Sequence, residues 1–461
     1  MIRERIATAA AWMGGSLLGS DAAFAGVSTD SRSVPAGALF FALRGEHVDG
    51  HAYVADAARR GAAAAVVQRA QGEAGIAQIV VADTQAALAE LARHWRQRLP
   101  AQVVAVTGSN GKTTTKTLMA AILHLAGRTA STPGNFNNEI GLPLSVLALD
   151  REVDYAVLEM GAGKPGDIHY LVRIGQPDVA LITNVGPAHL ERLGSVEGVA
   201  RTKAEIYEGL GRDGIGVVNA DDPFAPYFRQ LLGLRTRVEF GIDTASAVTA
   251  TGLALGERSH FTLVTPVGEV AIDFGLPGRH NVMNALAAAA AAHALGIPLE
   301  TIKRGIEAAP DVAGRMTRHT SRHGWVLFDD SYNANPASVM AGIATLVAGA
   351  DGGEAWLALG DMRELGSRET AMHAEVGRHA RESGITRMFT VGPLAAHAAA
   401  AFGPHAQSYP DRTSLASDLS RALKPAVRVL VKGSRSSGME RVVDAVLAAH
   451  GMRTQEGHHA A

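Results

Sequence analysis

The apolar run Val103–Val106 leads directly into Thr-Gly-Ser-Asn-Gly-Lys-Thr-Thr-Thr at residues 107–115. An apolar strand that enters a Gly-containing turn and re-emerges as a helix opened by Lys and Thr is how a chain builds a phosphate cradle. Gly108 and Gly111 let backbone N–H groups turn inward on either side of Asn110. Lys112 can reach the β- and γ-phosphates, Thr113 can offer a hydroxyl to Mg²⁺, and Asn110 and Thr114 are counted with them as nucleotide-binding residues of the loop. The strict pattern G-x-x-x-x-G-K-[ST] fails, because Val106 occupies its first glycine position. The nearer glycine is Gly108, so the loop is a shortened variant. A strand–helix turn with no ligand is the rival reading of these residues.

The flanking pattern makes the chain α/β. At 461 residues it is too long for one core, and about three domains are expected. Residues 1–98 form a small first unit, with strands at Leu39–Leu43 and Ala63–Val67, a helix at Tyr53–Arg60 and a helical stretch at Leu88–Arg98 that stops at Pro100. Residues 99–310 alternate strand and helix through Val103–Val106, Tyr155–Leu158, Val179–Ile182 and Ile215–Val218, as in a doubly wound, mostly parallel sheet. The alternating, Thr-rich interval Ala245–Phe274 reads as an antiparallel appendage. Residues 311–461 are again α/β, with strands at Trp325–Phe328, Ala355–Leu359, Met388–Val391 and Arg428–Val431, and a tail after Gly451 expected to be frayed.

Composition removes several function classes. A formal net charge of −2 supplies no global field for nucleic acid or acidic lipid, so phosphorylated ligands must be held locally. The absence of cysteine excludes disulfides, thiolate catalysis and Cys-ligated zinc. No apolar run reaches the roughly 18 residues of a membrane helix, and Ala285–Ala292 reads as a tightly packed core helix. Arg3 and Arg5 before Ile6–Met13, with Ala23-Phe24-Ala25 beyond, imitate a secretion signal. Thr8, Gly14-Gly15 and Asp21 interrupt that pattern, and a chain consuming nucleotide triphosphate is expected in the cytoplasm.

Ligands of a doubly wound sheet bind at the carboxyl ends of its strands, and polar clusters fall at such ends. Glu159 follows Tyr155–Leu158, where a carboxylate can hold Mg²⁺ beside the phosphate loop; helix capping is the alternative. Asn184 and His189 follow Val179–Ile182 in a Gly/Pro loop. Lys203 lies early in the next helix, where a solvated lysine is the plain reading. His280, Asn281 and Asn284 open a helix and could meet a base or ribose, or simply cap it. The last unit offers Arg315, the passage Asp329–Pro336, the residues around Asp361, and Lys432-Gly433-Ser434-Arg435, a natural anion pocket.

Taken together and in order, these passages resemble the ATP-dependent muramyl ligases, which extend the peptide of the cell-wall precursor. DDSYNANP (329–336), LGDMRELG (359–366) and KGSRSSGME (432–440) look like third-domain signatures of the member that adds D-alanyl-D-alanine. STDSR (28–32) and LRGEHVDGH (43–51) resemble its first domain, and the shortened phosphate loop is the family's own form. The resemblance implies a small α/β N-terminal domain for the uridine-linked substrate, a central ATP-binding domain, and a Rossmann-like C-terminal domain that closes on ATP.

It also implies the chemistry. ATP phosphorylates the terminal carboxylate of a UDP-N-acetylmuramoyl-tripeptide, and the amine of D-alanyl-D-alanine displaces phosphate. Such a reaction needs alignment and charge neutralisation rather than a protein nucleophile. Carried onto this chain, Lys112 binds the β- and γ-phosphates, Thr113 and Glu159 hold one Mg²⁺, and His189 helps hold a second. Lys203 falls where the family carries a carbamylated lysine, an anionic ligand made from a cation. Asn281 and Asn284 match positions near adenine, while Arg315 and Asp330 match a pair reaching phosphate and ribose. Asn137 and Asn138 match a segment near the γ-phosphate, and Ser331, Tyr332, Asn333, Lys432, Ser434 and Arg435 are assigned to the dipeptide. Ser28, Asp30, Ser31, Arg32, Arg44 and His51 are assigned to the uridine end. A monomer with no nucleic-acid partner is expected. A sibling muramyl or folylpolyglutamate-type ligase, or a nucleotide switch without ligation chemistry, are the rivals; a switch has no use for a second metal site.

Overall fold

The computed structural model describes residues 1–45, 47–72, 74–350 and 352–452. Three main sheets carry the chain. In the central one, six parallel strands run in the spatial order Arg237–Phe240, Ile215–Asn219, Val179–Ile182, Gln102–Thr107, Tyr155–Glu159, Thr129–Ser131. Val103, Val104, Ala105 and Val106 are fully buried, because helices cover both faces of a parallel sheet. Register brings Thr107 opposite Ile182 and Val106 opposite Glu159. The phosphate loop, Glu159 and Thr183 therefore leave the sheet at nearly one level, along one edge.

The helix Lys112–His124 follows the loop and packs against Arg279–Ala294 and Leu299–Glu307. Ala285–Ala292 is buried throughout, as its composition predicts; side chains this small let the helix approach closely. Thr249–Leu255, Ser259–Thr265 and Gly268–Phe274 form the expected antiparallel appendage.

The N-terminal sheet has five strands in the order Ser16–Leu18, Ala77–Val80, Ala64–Val67, Leu39–Phe41, Val27–Ser28. Two boundaries differ from expectation. The helix placed at Leu88–Arg98 spans Thr84–Arg96, because Asp83 caps it by accepting from the N–H groups of Gln85 and Ala86 at 2.8 and 2.9 Å. The helix placed at Tyr53–Arg60 is Val54–Arg59, preceded by a tighter turn at Gly50–Tyr53. The segment resembling a secretion signal is part of the fold: Ile6–Trp12 is a helix, and Ala23–Ala25 pairs antiparallel with Arg3–Arg5. Ile2 and Ile6 are fully buried.

One face of the N-terminal sheet and one face of the central sheet share a hydrophobic core, from Ile2, Leu39 and Leu91 through Trp95 to Val103, Leu158 and Phe228, while their other faces have cores of their own. Trp95 Nε1 donates to the Leu149 carbonyl at 3.0 Å. Buried Arg96 donates to the carbonyls of Gly175 and Gln176 at 3.0 and 3.1 Å and pairs with Asp178 at 3.2 Å. Packing thus runs unbroken across residue 98.

The C-terminal sheet is built differently. Its order is Thr317–Thr320, Val326–Asp330, Val427–Lys432, Glu354–Gly360, Ile385–Val391, Ala406–Tyr409, parallel except for the first pair. Along Glu354–Gly360, Leu357 and Leu359 enter one core while Trp356 and Ala358 enter another, the alternation of a strand covered on both faces. The expected strand Trp325–Phe328 begins one residue later and continues to Asp330, which extends the sheet to the site edge. Of the tail expected to fray, residues 453–461 lie outside the described residues. Among the described residues, no helix is long and apolar enough to cross a membrane.

A shared core predicts shared unfolding. Trp95→Ala removes a buried indole and its hydrogen bond, at a cost of about 3–5 kcal/mol. Denaturant titration should show the N-terminal and central sheets losing structure at one lowered midpoint; two separate midpoints would contradict the shared core.

Candidate active site

The phosphate loop is closed in by side chains of Thr183 and Asn284 that leave room only for glycine. Gly111 has φ +80°, and a Cβ there would overlap Asn284 Oδ1. A Cβ at Gly108 would overlap Thr183 Oγ1. The segment 183–186 clamps the turn from outside. The Asn110 carbonyl accepts from Thr183 Oγ1 at 2.6 Å and Asn184 Nδ2 at 3.1 Å, while Asn184 Oδ1 accepts from the Asn110 N–H at 3.0 Å. Ser109 Oγ and Gly186 bond each other both ways at 2.9 and 3.0 Å. Asn281 and Asn284, expected near adenine, are buried behind the loop: Asn281 Nδ2 donates to the Pro277 carbonyl at 2.8 Å, and Asn284 Nδ2 to Asn281 Oδ1 at 3.2 Å.

Charge sets the character of this edge. Lys112 Nζ curls onto the Gly108 carbonyl at 2.7 Å. Burial lowers its pKa and Arg315 lowers it further, with Glu159 acting the other way. Lys203 is 2% exposed, and burial first and Lys112 second push its pKa well down. The plain reading of Lys203 as a solvated lysine is thus overturned by the packing of its helix. Glu159 is 3% exposed; its Oε1 accepts from Asn137 Nδ2 at 2.8 Å. Its Oε2 is buried without a hydrogen bond, 3.5 Å from Lys116 Nζ. Lys116 is itself buried and donates to the carbonyls of Thr132 and Gly134 at 2.9 and 3.1 Å. Nothing in the sequence alone marks Lys116, because its partners lie on another loop.

These residues fit a magnesium ion. Glu159 Oε2 is an orphaned anionic oxygen at the carboxyl edge, and Thr113 is partly buried at the start of the helix after the loop. Among the described residues, no three His, Cys, Asp or Glu side chains gather into a cage. Mg²⁺ is usually bound by one or two carboxylates together with substrate phosphates and water, a requirement that Glu159 can meet.

The C-terminal domain supplies the facing wall. Ser109, Asn110, Gly111 and Lys112 line one cavity with Arg315, Asn333, Ala334, Asn335 and Ser338. Asn335 Nδ2 donates to Asn110 Oδ1 at 2.8 Å, bridging the two domains. Arg315 lies 4.3 Å and Arg435 5.5 Å from the centre of the Tyr332 ring, so two guanidinium groups bracket one aromatic side chain. His189 Nδ1 meets Glu364 Oε2 at 2.6 Å, and that hydrogen bond draws the Glu364 pKa down.

Several expected ligand residues are instead engaged by the fold. Lys432 is 1% exposed and donates to Asp330 Oδ2 at 2.6 Å and the Asn333 carbonyl at 2.9 Å, so it is spent on Asp330 rather than offered to a dipeptide carboxylate. Ser434 Oγ accepts from the Arg363 N–H at 2.8 Å, and buried Ser331 bonds Asp329 Oδ1 through its own N–H at 3.0 Å. Asn333 Oδ1 accepts from the Ala334 N–H at 2.9 Å. Asn138 Oδ1 accepts from the Gly141 N–H at 2.8 Å at the start of the helix Gly141–Ala148. Asp361 accepts from the N–H groups of Leu394 and Ala395 at 3.0 and 2.8 Å, a structural duty.

In the first unit, Ser28 Oγ and Asp30 bond one another at 3.1 and 3.2 Å, and Asp30 takes both the N–H and the guanidinium of Arg32. That guanidinium holds the Asp30 carboxyl down at about 2. His51 has no nitrogen left for a ligand: Nε2 accepts from the Gln68 N–H at 2.9 Å, so Nδ1 carries the proton given to Asp49 at 2.6 Å. Arg44 pairs with the same Asp49 at 3.2 Å and stays half-exposed. Ser31 and Arg32 face an open hollow with Tyr53, Asp56, Arg59 and Arg60.

Comparison with known proteins agrees with this layout. Residues 23–96 match the Mur ligase family catalytic domain, residues 106–292 the Mur ligase middle domain, and residues 314–435 the Mur ligase glutamate ligase domain. The UDP-N-acetylmuramoyl-tripeptide–D-alanyl-D-alanine ligase of Escherichia coli strain K12 is 40% identical over 438 residues, covering 94% of this chain and 96% of that relative. This chain belongs to the Mur ligase family. Among solved Mur ligases, MurF from Acinetobacter baumannii superposes with a TM-score of 0.92 at 33% identity, covering 97% of this chain and 99% of that one. MurF from Thermotoga maritima in complex with ADP gives 0.85 at 29% identity, over 93% and 98% of the two chains.

The loop geometry yields a direct test. Gly111→Ala should weaken binding of a non-hydrolysable ATP analogue at least about tenfold, a cost of roughly 1.4 kcal/mol. Gly211→Ala, where a Cβ meets nothing within 4 Å and the backbone is not left-handed, is the control. Calorimetric titration that finds Gly111→Ala as tight as the parent would remove the loop from phosphate binding.

Proposed function

We propose that this Mur ligase joins D-alanyl-D-alanine to a UDP-N-acetylmuramoyl-tripeptide at the expense of ATP, through an acyl phosphate. The observation that carries the reading is the cationic edge of the central sheet, where partly buried Lys112 and buried Lys116 lie by one buried carboxylate, Glu159, with one of its oxygens unbonded, and buried Lys203 lies near Lys112. Such an edge is short of negative charge, and a triphosphate supplies it. The 40% identity to the E. coli D-alanyl-D-alanine-adding ligase, over nearly both chains, supports the choice of substrates.

In this reading the inward N–H groups of the loop and Lys112 hold the phosphates, and Arg315 reaches them from the third domain. Charge that develops during phosphoryl transfer then meets donors already in place. Thr113 and Glu159 would hold one Mg²⁺, and His189 and a carbamylated Lys203 a second; such ions would supply neutralisation of phosphate charge. Asn137 holds Glu159 in orientation. Burial that lowers the Lys203 pKa also prepares it for CO₂: the free amine adds to carbon, loses one proton, and becomes an anionic carbamate. A group that Lys112 repels when charged is thereby replaced by an anion that Lys112 attracts. Contact between the third domain and the loop shields the acyl phosphate from water.

We assign the dipeptide carboxylate to exposed Arg435, since Lys432 is engaged, and place Tyr332 beside it. Asp330, held by Lys432, is turned over to the ribose. The uridine end belongs to the loops at Ser28–Arg32 and Arg44, and adenine to the neighbourhood of Asn284. This reading places the protein in the cytoplasm, where its nucleotide substrates are made.

Phosphate release measured with ATP and the uridine-linked tripeptide should depend on D-alanyl-D-alanine. Release that ignores the dipeptide and follows glutamate or another amine would move the chain to a sibling ligase. Lys112→Ala should be inactive yet folded by circular dichroism; substantial residual turnover would sink the phosphate role. Lys203→Ala and Lys203→Arg should both be nearly inactive, because neither forms a carbamate. An active Lys203→Arg enzyme would end the carbamate reading.

A further inference from the structure

His189 and Glu364 are two of the five non-glycine residues with positive φ among the described residues, at +53° and +64°. Such backbone is disfavoured for residues with a Cβ and persists where surrounding structure imposes it. These two face each other across a domain boundary. His189 opens the four-residue helix Leu190–Leu193 beyond the central sheet, and Glu364 lies in the loop that follows Glu354–Gly360 of the C-terminal sheet. Their side chains meet at 2.6 Å through His189 Nδ1 and Glu364 Oε2.

The contact is more than one ion pair. Leu190 packs, partly buried, against the C-terminal core that contains Met362 and Leu365, the neighbours of Glu364. The Glu191 N–H points at the Glu364 carbonyl at 3.5 Å. Gly366, at φ +65°, turns the loop so that a Cβ there would stand 3.5 Å from Glu191 Cα. An isolated surface ion pair contributes little and tolerates many geometries. Here an apolar anchor, a backbone contact and two imposed backbone conformations all converge on one side-chain bond.

We infer that Glu364 is a positioning residue for His189, and that it makes the second cation site conditional on docking of the C-terminal domain. A carboxylate on Nδ1 fixes the tautomer with the proton there, sets the ring plane, and leaves the Nε2 lone pair for a metal. The inference rests on the assignment of His189 to a metal in the proposed function. It adds that the central domain alone does not orient this ligand: the third domain does, through Glu364 and the seat of Leu190. Phosphoryl transfer is then coupled to closure, since the cation site is complete only when the domain that excludes water is in place.

The test uses the full-length chain with Mn²⁺ as the probe, in the presence of a non-hydrolysable ATP analogue and the uridine-linked tripeptide. Free Mn²⁺ is counted by electron paramagnetic resonance, and the Mg²⁺ concentration for half-maximal turnover is measured alongside. Glu364→Ala should weaken the second Mn²⁺ by about 10- to 100-fold, leave the first unchanged, and raise the Mg²⁺ requirement by a similar factor with the KM for ATP unmoved. Glu364→Gln, which keeps an acceptor oxygen on Nδ1–H, should stay near the parent and shows that the change is not one of folding. His189→Ala should remove the second Mn²⁺ altogether. If His189→Ala removes it and Glu364→Ala leaves it intact, the positioning role fails while the metal role of His189 stands. If His189→Ala keeps both Mn²⁺ ions, the metal role fails and takes the inference with it.

Discussion

An excess of buried positive charge at one edge of the central sheet is the constraint on which the rest of the structure depends. Lys112 and Lys116 lie by Glu159, Lys203 lies near Lys112, and Arg315 comes from the facing domain close enough to lower Lys112 further. Unit charges a few ångströms apart in a poorly solvated pocket interact by several kcal/mol. Such a cluster holds only if the scaffold is stiff and a ligand or modification can offset the charge. The scaffold is stiff: strand register brings the loop and Glu159 to one level, the 183–186 segment clamps the turn, and Asn284 closes it from behind. The polyphosphate of ATP is such an offset, and the carbamate proposed for Lys203 would be another.

The division of cores gives this edge its moving part. The N-terminal and central sheets share a core on one face of each and are further tied by Trp95 and Arg96. The C-terminal domain keeps two cores of its own, with Leu190 as a guest in one of them. Among the described residues, its polar contacts with the central domain include Asn335 to Asn110, Glu364 to His189 and to the Glu191 N–H, and Arg318 with Arg428 to Glu257 on the appendage. Inter-domain interfaces of modest, polar character allow a domain to move as a body, and two of these contacts land on the nucleotide loop and on the candidate second-metal ligand.

How much of this was legible in sequence depended on range. Strand–helix alternation is a local signal, so the α/β class and the central strands could be read directly. The three-residue strands at Arg3–Arg5 and Ala23–Ala25 are too short to show a period, and their residues imitate a secretion signal instead. The true start of the helix Thr84–Arg96 was available in Asp83-Thr84, a capping signal that the later apolar run obscured. Gly108, Lys112 and Glu159 stood out because strand ends announce themselves. Lys116, Glu364 and the engagement of Lys432 with Asp330 did not, because each depends on a partner from a distant loop. Lys203 was the sharpest case: its helical position reads as solvated, and only resemblance to the ligases, and then its burial, set it apart.

The account stands or falls on whether ATP activates the tripeptide carboxylate at this edge. The direct measurement is the fate of a heavy-oxygen label placed in the terminal carboxylate of the uridine-linked tripeptide, followed by mass spectrometry of the inorganic phosphate released with D-alanyl-D-alanine present. An acyl phosphate requires one labelled oxygen to leave with each phosphate. Phosphate that carries no label while amide product accumulates would contradict the account, because the carboxylate oxygen would then never have been bonded to phosphorus.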